Sequence, residues 1–149
     1  MSVRADFVFE RKLGAGANGC VFRVRRVADE ALYALKEVDG FDDLAPPAQL
    51  VVLREVRLLA AVDHPHVVSY KESFIEAGKL HIVMELCAGG DVHSMLKRRA
   101  GELLAESEIW RYFGEALRGL EHLHSLSILH RDIKSLNVRT HRVRVDPHY

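Results

Sequence analysis

The run His130-Arg131-Asp132-Ile133-Lys134-Ser135-Leu136-Asn137 places several reactive groups at fixed offsets. The Asp132 carboxylate can orient an acceptor hydroxyl and take its proton. Two residues on, Lys134 can neutralise charge on a migrating phosphoryl group. Five residues after the Asp, Asn137 offers a neutral oxygen to a hard Mg²⁺ ion. The chemistry these types serve together is phosphoryl transfer. The alternative is a polar surface turn with an internal Asp-Lys pair, and the fixed offsets of the motif positions weigh against it.

A second signal lies near the start. Gly14-Ala15-Gly16-Ala17-Asn18-Gly19-Cys20-Val21 has the spacing G-x-G-x-x-G-x-V. Alone it is weak, because dinucleotide-binding folds and ordinary turns also contain G-x-G-x-x-G. In the dinucleotide case the loop opens a helix. Here Val21-Phe22-Arg23-Val24 continues in strand alternation, so the glycines cap a hairpin. Such a tip lets backbone amides approach phosphate oxygens without side-chain clashes; the alternative is a flexible turn.

Lys36 lies on the third strand, and a Lys on an edge strand is usually just solvated. Its partner is the test. Glu55 is flanked at three and four residues by Val52, Val51, Leu58 and Leu59, so it sits within an apolar stripe and is expected to point inward. A buried carboxylate needs a counter-ion, and Lys36 supplies one. The alternative is a Glu at the margin of the stripe, reaching water.

The elements that must position these groups follow from periodicity. Phe7 to Leu13 and Val21 to Val27 alternate as strands about the glycine turn; Ala31 to Val38 reads as a third strand. Pro46 and Pro47 suit the start of a helix over Ala48 to Val62. Val67 to Phe74 and Leu80 to Leu86 read as two further strands turning near Ala77-Gly78. Asp91 can N-cap a short helix ending in Lys97-Arg98-Arg99. Glu106 to His124 reads as a long helix with a stripe at Ile109, Phe113, Leu117, Leu120 and Leu123. Leu126 to Asn137 is a loop.

Composition sets bounds. The chain has 149 residues, enough for one domain or part of a larger one, and 48% hydrophobic content is ordinary for a globular core. With 21 basic and 21 acidic residues the net charge is zero, so no global field draws it to nucleic acid or anionic membrane. Cys20 and Cys87 form no metal or redox spacing, which suits a reduced intracellular chain. Met1 to Glu10 has no signal-peptide core, and no apolar stretch is long enough to span a bilayer. Nine histidines include His64, His66, His122 and His124 without metal-ligand spacing.

Together the motifs resemble protein serine/threonine kinases over roughly residues 7 to 138. Within them Ala34-Leu35-Lys36-Glu37-Val38, His64-Pro65-His66-Val67-Val68 and Ile128-Leu129-His130-Arg131-Asp132-Ile133-Lys134-Ser135 look most like NIMA-related kinases. The resemblance implies an α+β fold of two lobes. A five-stranded antiparallel sheet with one helix forms the N-lobe, residues 7–86. A hinge over 87–90 follows, then the start of a helical C-lobe over 91–138 and a divergent tail, 139–149. It implies that Asp132, Lys134, Lys36 and Glu55 carry catalysis, with Lys36 on the α- and β-phosphates. It makes Met84-Glu85-Leu86-Cys87 the segment that meets adenine, with Met84 as gatekeeper. Asp91 would contact the ribose, Val21 and Ala34 would pack on the base, and Leu13, Gly14, Gly16 and Gly19 would form the flap over the phosphates. ATP and Mg²⁺ are the implied cofactors, with Asn137 as metal ligand and His130 as a structural residue of the loop. A protein substrate is implied, with no nucleic acid or membrane partner. The implied location is cytoplasmic, with cytoskeletal or nuclear association by resemblance.

Departure from the pattern begins just after Asn137. An apolar strand is expected there, one residue of which packs beneath adenine, but Arg139 and Thr140 follow Val138. No D-F-G motif appears, and neither Phe nor Gly follows Asp146 in Val145-Asp146-Pro147. Two expectations result. One is a truncated kinase form of weak or no activity, holding Mg²⁺ poorly and exposing the stripe of the long helix. The other is a non-catalytic decoy that binds nucleotide or a partner.

Overall fold

The structure is a computed structural model and describes residues 3–16 and 19–140. Ala17 and Asn18 of the glycine run, and the tail with Asp146, lie outside the described residues. The chain divides into two compact units. One joins Met1–Asp63 with Val68–Leu86; the other joins His64–Val67 with the described part of Cys87–Tyr149.

The first unit is a five-stranded antiparallel sheet with one α-helix. Its strands are β1 (Phe7–Gly16), β2 (Gly19–Arg26), β3 (Leu32–Val38), β4 (Tyr70–Glu76) and β5 (Lys79–Glu85), in the order β1-β2-β3-β5-β4. The helix, α1 (Pro46–Ala60), opens on the two prolines, whose missing N–H groups cost nothing in the first turn. A short 3-10 helix, Val3–Asp6, precedes β1; nothing in the sequence pattern announced it. Alternation gives the sheet two apolar faces. On one, Phe7, Val24, Leu35 and Val83 are buried beneath Phe9, Phe22, Tyr33 and Phe74. On the other, Phe41, Leu80 and Ile82 meet Val56, with Val52 and Leu53 of α1 packed around them. Each fully buried aliphatic side chain of this kind contributes roughly 1.5–3 kcal/mol. The strand expected from Val67 begins instead at Tyr70. The Val67 N–H is bonded to the His64 carbonyl at 3.0 Å, closing a turn rather than entering the ladder.

The second unit holds α2 (Val92–Arg98), α3 (Glu106–Ser125) and the loop after them. Asp91 caps α2 as its sequence position suggested, accepting from Ser94 N at 2.7 Å. At the start of α3, Glu108 reaches back to the Ala105 N–H at 3.1 Å, half of a capping box. The apolar stripe of α3 is unevenly covered. Leu123 is buried, while Ile109, Phe113 and Leu117 are 51%, 53% and 47% exposed. Among the described residues no helix is long and apolar enough to cross a membrane.

Candidate active site

In the first unit the strand register gathers four of the expected nucleotide contacts on one face. Val21 lies opposite Lys36 across the β2–β3 ladder. Ala34, two residues from Lys36 and so on the same face, lies opposite Met84 of β5. Met84 packs against the cluster under α1. Gly14 pairs with Val21 and Gly16 with Gly19, so the glycine run does cap the β1–β2 hairpin. The register slips between Lys12 and Gly14, leaving Leu13 as an extra, exposed residue. Gly19 has φ +124°, and a Cβ there would stand 1.9 Å from the Glu37 carbonyl oxygen. No other residue type fits that approach. Glu85 is tied to Ser69 in both directions: its backbone N–H donates to the Ser69 carbonyl at 2.9 Å, and its carboxylate accepts from Ser69 N at 3.2 Å. The Cys87 carbonyl accepts from the Gly90 N–H at 3.0 Å.

One expectation is corrected. Glu55 does not point inward; it is exposed, and among the described residues it forms no ion pair with Lys36. The cause is the rotation of α1. Val52, Leu53 and Val56 face the sheet. At about 100° per residue, Glu55 stands roughly a quarter-turn from Val56. The flanking aliphatics that suggested an inward Glu, namely Val51, Leu58 and Leu59, are themselves 54%, 49% and 41% exposed.

The carboxylate that does lie buried on this sheet is Glu37, one residue after Lys36 and therefore on the opposite face. Its oxygens lie 3.4 Å from Arg4 Nε, 3.8 Å from Lys79 Nζ and 3.7 Å from His81 Nδ1. His81 is 1% exposed, stacks on Phe74 at 4.7 Å, and its Nδ1 has no hydrogen-bond partner. Burial pushes the His81 imidazole below its ordinary pKa; the nearby Glu37 charge only partly opposes this. Sequence reading passed over this cluster, although polar residues at the core phase of β3 and β5 were the available sign.

In the second unit the loop closes on itself. Lys134 Nζ lies 2.8 Å from Asp132 Oδ2. Asn137 Nδ2 donates to Asp132 twice, to its backbone oxygen and to Oδ2, each at 2.8 Å. Arg131 takes φ +63°, a left-handed conformation that a side chain resists, and this turns the chain back at Asp132. The Asp132 N–H faces His130 Nδ1 at 3.4 Å. The hydrogen bond from Lys134, then that from Asn137, hold the Asp132 carboxyl below its ordinary pKa. It is therefore an anion at neutral pH, ready to accept from a hydroxyl. Because Asn137 spends its nitrogen on Asp132, its carbonyl oxygen remains the group available to a cation.

Asp91 serves more than the helix cap. Its Oδ1 accepts from Ser94 N and its Oδ2 from Ser94 Oγ at 3.0 Å, while Arg139 Nη1 lies 3.9 Å from Oδ2. Burial pushes this carboxyl up, but the Ser94 hydrogen bonds and the Arg139 charge outweigh it, and it lies below its ordinary pKa. Arg139, flagged in the sequence as a misplaced charge, thus has a partner.

The sequence matches known proteins over most of its length. The protein kinase domain family matches residues 7–144, and the chain belongs to that family. Its relatives include serine/threonine-protein kinase Nek1 of Mus musculus, 38% identical over 132 residues, which are 89% of this chain and 11% of that protein. Nek3 of Mus musculus is 38% identical over 141 residues, 94% of this chain and 27% of the relative. Nek11 of Homo sapiens is 34% identical over 137 residues, 89% of this chain and 21% of the relative. The resemblance to NIMA-related kinases therefore stands. The chain spans about a tenth to a quarter of the length of these relatives.

Proposed function

We propose that this chain binds ATP and transfers its γ-phosphoryl group to serine or threonine hydroxyls of a protein, and that transfer by the 149 residues alone is weak. The observation that carries this is the triad of Asp132, Lys134 and Asn137, held within 2.8 Å contacts around one ionised carboxylate. ATP fits the residues present. Lys36 forms no ion pair among the described residues, so its ammonium is available to phosphate, and Gly14 of the hairpin has open space where a Cβ would stand. The fit to Mg²⁺ is poorer. Among the described residues no group of three His, Cys, Asp or Glu side chains could hold a metal, which leaves the Asn137 oxygen as its main protein donor.

ATP supplies the phosphoryl group, and Mg²⁺ the charge neutralisation that its phosphates require. The chain's own residues do the rest. Lys36 anchors phosphate oxygens. The Asp132 carboxylate accepts the proton of the substrate hydroxyl, turning its oxygen toward phosphorus. Lys134 keeps Asp132 ionised and offers positive charge beside the transferring group. Asn137 fixes the Asp132 rotamer through two hydrogen bonds, which is positioning in the strict sense.

A second reading has one observation in its favour. The open Lys36 and Glu55 suit a nucleotide-binding decoy that does not catalyse. One experiment separates the two: phosphate transfer from labelled MgATP to a generic protein substrate, with ATP-dependent melting measured in parallel. A thermal shift abolished by Lys36→Met, with transfer abolished by Asp132→Asn, supports the kinase reading. A shift without any transfer supports the decoy. No shift and no transfer sinks both.

A further inference from the structure

A cavity of about 130 Å³ lies beside the β4–β5 turn of the first unit, lined by Arg4, Glu37, Glu76, Ala77, Lys79 and His81. A single water needs only about 10–15 Å³ of such space, so the cavity has room for a group of several atoms. Two acceptors in its wall lack donors. His81 is buried, and its Nδ1 has no hydrogen-bond partner. The ring's hydrogen bond runs to the Glu76 backbone, so it uses the other nitrogen and leaves Nδ1 as a lone pair.

The Glu37 carboxylate, itself buried, stands 3.7 Å from that nitrogen through Oε1. Its cations stand off, Arg4 Nε at 3.4 Å from Oε1 and Lys79 Nζ at 3.8 Å from Oε2. These separations exceed an ordinary hydrogen bond. Both cations are also held elsewhere: Lys79 lies 2.6 Å from Asp39 Oδ1, and the Arg4 guanidinium lies over the Phe9 ring at 4.4 Å. Two buried acceptors this close gain nothing from each other, and a buried polar group without its hydrogen bond is costly. The pair therefore calls for a donor between them.

The chemistry of the wall narrows that donor. A cationic group would meet Arg4 and Lys79, and among the described residues no three His, Cys, Asp or Glu side chains could hold a metal. An anion would meet Glu37 and the His81 lone pair. What fits is an uncharged group with two N–H donors and one acceptor oxygen. We propose that this cavity recognises a primary carboxamide: its NH₂ donates to Glu37 Oε1 and His81 Nδ1, and its carbonyl oxygen accepts from Lys79 or Arg4 at the rim. The amide belongs to a small free molecule or to an Asn or Gln side chain of a partner. The proposal does not depend on the nucleotide reading.

Acetamide is the probe, in ligand-observed NMR titrations of the full chain. A ligand of four heavy atoms should bind in roughly the millimolar range. N,N-dimethylacetamide keeps the carbonyl without an N–H, and acetate carries charge without a donor; both should bind at least about tenfold more weakly. His81→Phe keeps the stack on Phe74 and removes Nδ1, and should weaken acetamide roughly five- to tenfold, the loss of one hydrogen bond. N-acetylglutamine methylamide separates the sources: binding as tight as acetamide assigns the site to a partner's side chain, and exclusion assigns it to a small free amide. No saturable acetamide binding, equal binding of dimethylacetamide, or unchanged binding in folded His81→Phe overturns the proposal. Where His81→Phe does not fold, the comparison of acetamide, dimethylacetamide and acetate on the unsubstituted chain decides alone.

Discussion

Gly119 of α3 lies against the backbone of His66: a Cβ at Gly119 would stand 2.7 Å from the His66 carbonyl oxygen. Backbone does not yield as a flexible side chain does, so helix and turn approach this closely because the residue is Gly. Gly119→Ala should destabilise the chain by about 1–3 kcal/mol despite the better helix propensity of Ala. Gly114, on the same helix, has open space around its Cβ position. Gly114→Ala should stabilise by up to about 1 kcal/mol. Urea unfolding of the two variants checks both signs together.

His81 should make stability fall in mildly acidic solution. Its imidazole is buried, and its folded-state pKa lies below the ordinary value of about 6.5. The unfolded chain then binds more protons just below that pH, so stability is full above it and is lost as pH falls toward the folded pKa. The charged groups facing His81 are Glu37 of β3, Arg4 of the 3-10 helix, and Glu76 and Lys79 beside the β4–β5 turn. Denaturation midpoints between pH 7.5 and pH 5 should fall for the chain and fall less for His81→Phe, which keeps the stack on Phe74. Parallel slopes would refute this.

Glu55→Gln should leave unfolding free energy within about 0.5 kcal/mol, as for other exposed surface changes. Glu37→Gln should cost far more, because it strips charge from a buried group facing Arg4, Lys79 and His81. Urea midpoints of the two variants, side by side, test which acidic residue of the first unit is structural. A large loss from Glu55→Gln would show that α1 rotates to bring it inward.

Ile109, Phe113 and Leu117 recur at four-residue spacing on α3 and are about half exposed, with the Trp110 ring 6.0 Å from that of Phe113. Such a patch binds apolar dyes. Phe113→Glu should lower the fluorescence of an apolar dye added to the folded chain and change stability by less than about 1 kcal/mol. Unchanged fluorescence would mean that the patch is covered in solution.

Much of this was legible from the sequence, for physical reasons that differ by element. Strand phase is local: Val21, Ala34 and Met84 alternate with their neighbours, and pairing follows from it. The Asp91 cap and the Pro46-Pro47 start are local too. The Asp132 loop was legible as a group of polar residues at fixed offsets, and 2.8 Å contacts join the same residues in space. The side of α1 that meets the sheet was not. Aliphatics nearly surround Glu55, and only tertiary packing chooses Val52, Leu53 and Val56 among them. The Glu37–His81 neighbourhood was hidden for a similar reason, since it joins residues of β3 and β5 to Arg4, far apart in the chain.

Lys36 and Glu37 are joined by one peptide bond and serve opposite surfaces of the same sheet. A single inserted or deleted residue in β3 would exchange them. The ammonium would enter the buried neighbourhood of Arg4 and Lys79, and the carboxylate would turn toward the face shared by Val21, Ala34 and Met84. Both side chains would be misplaced at once, and no nearby point substitution would repair either. Length variation in this chain should therefore be tolerated in the turn at 27–29 and be lethal within the seven residues of β3, so that insertion scanning would map the two surfaces as a single intolerant site.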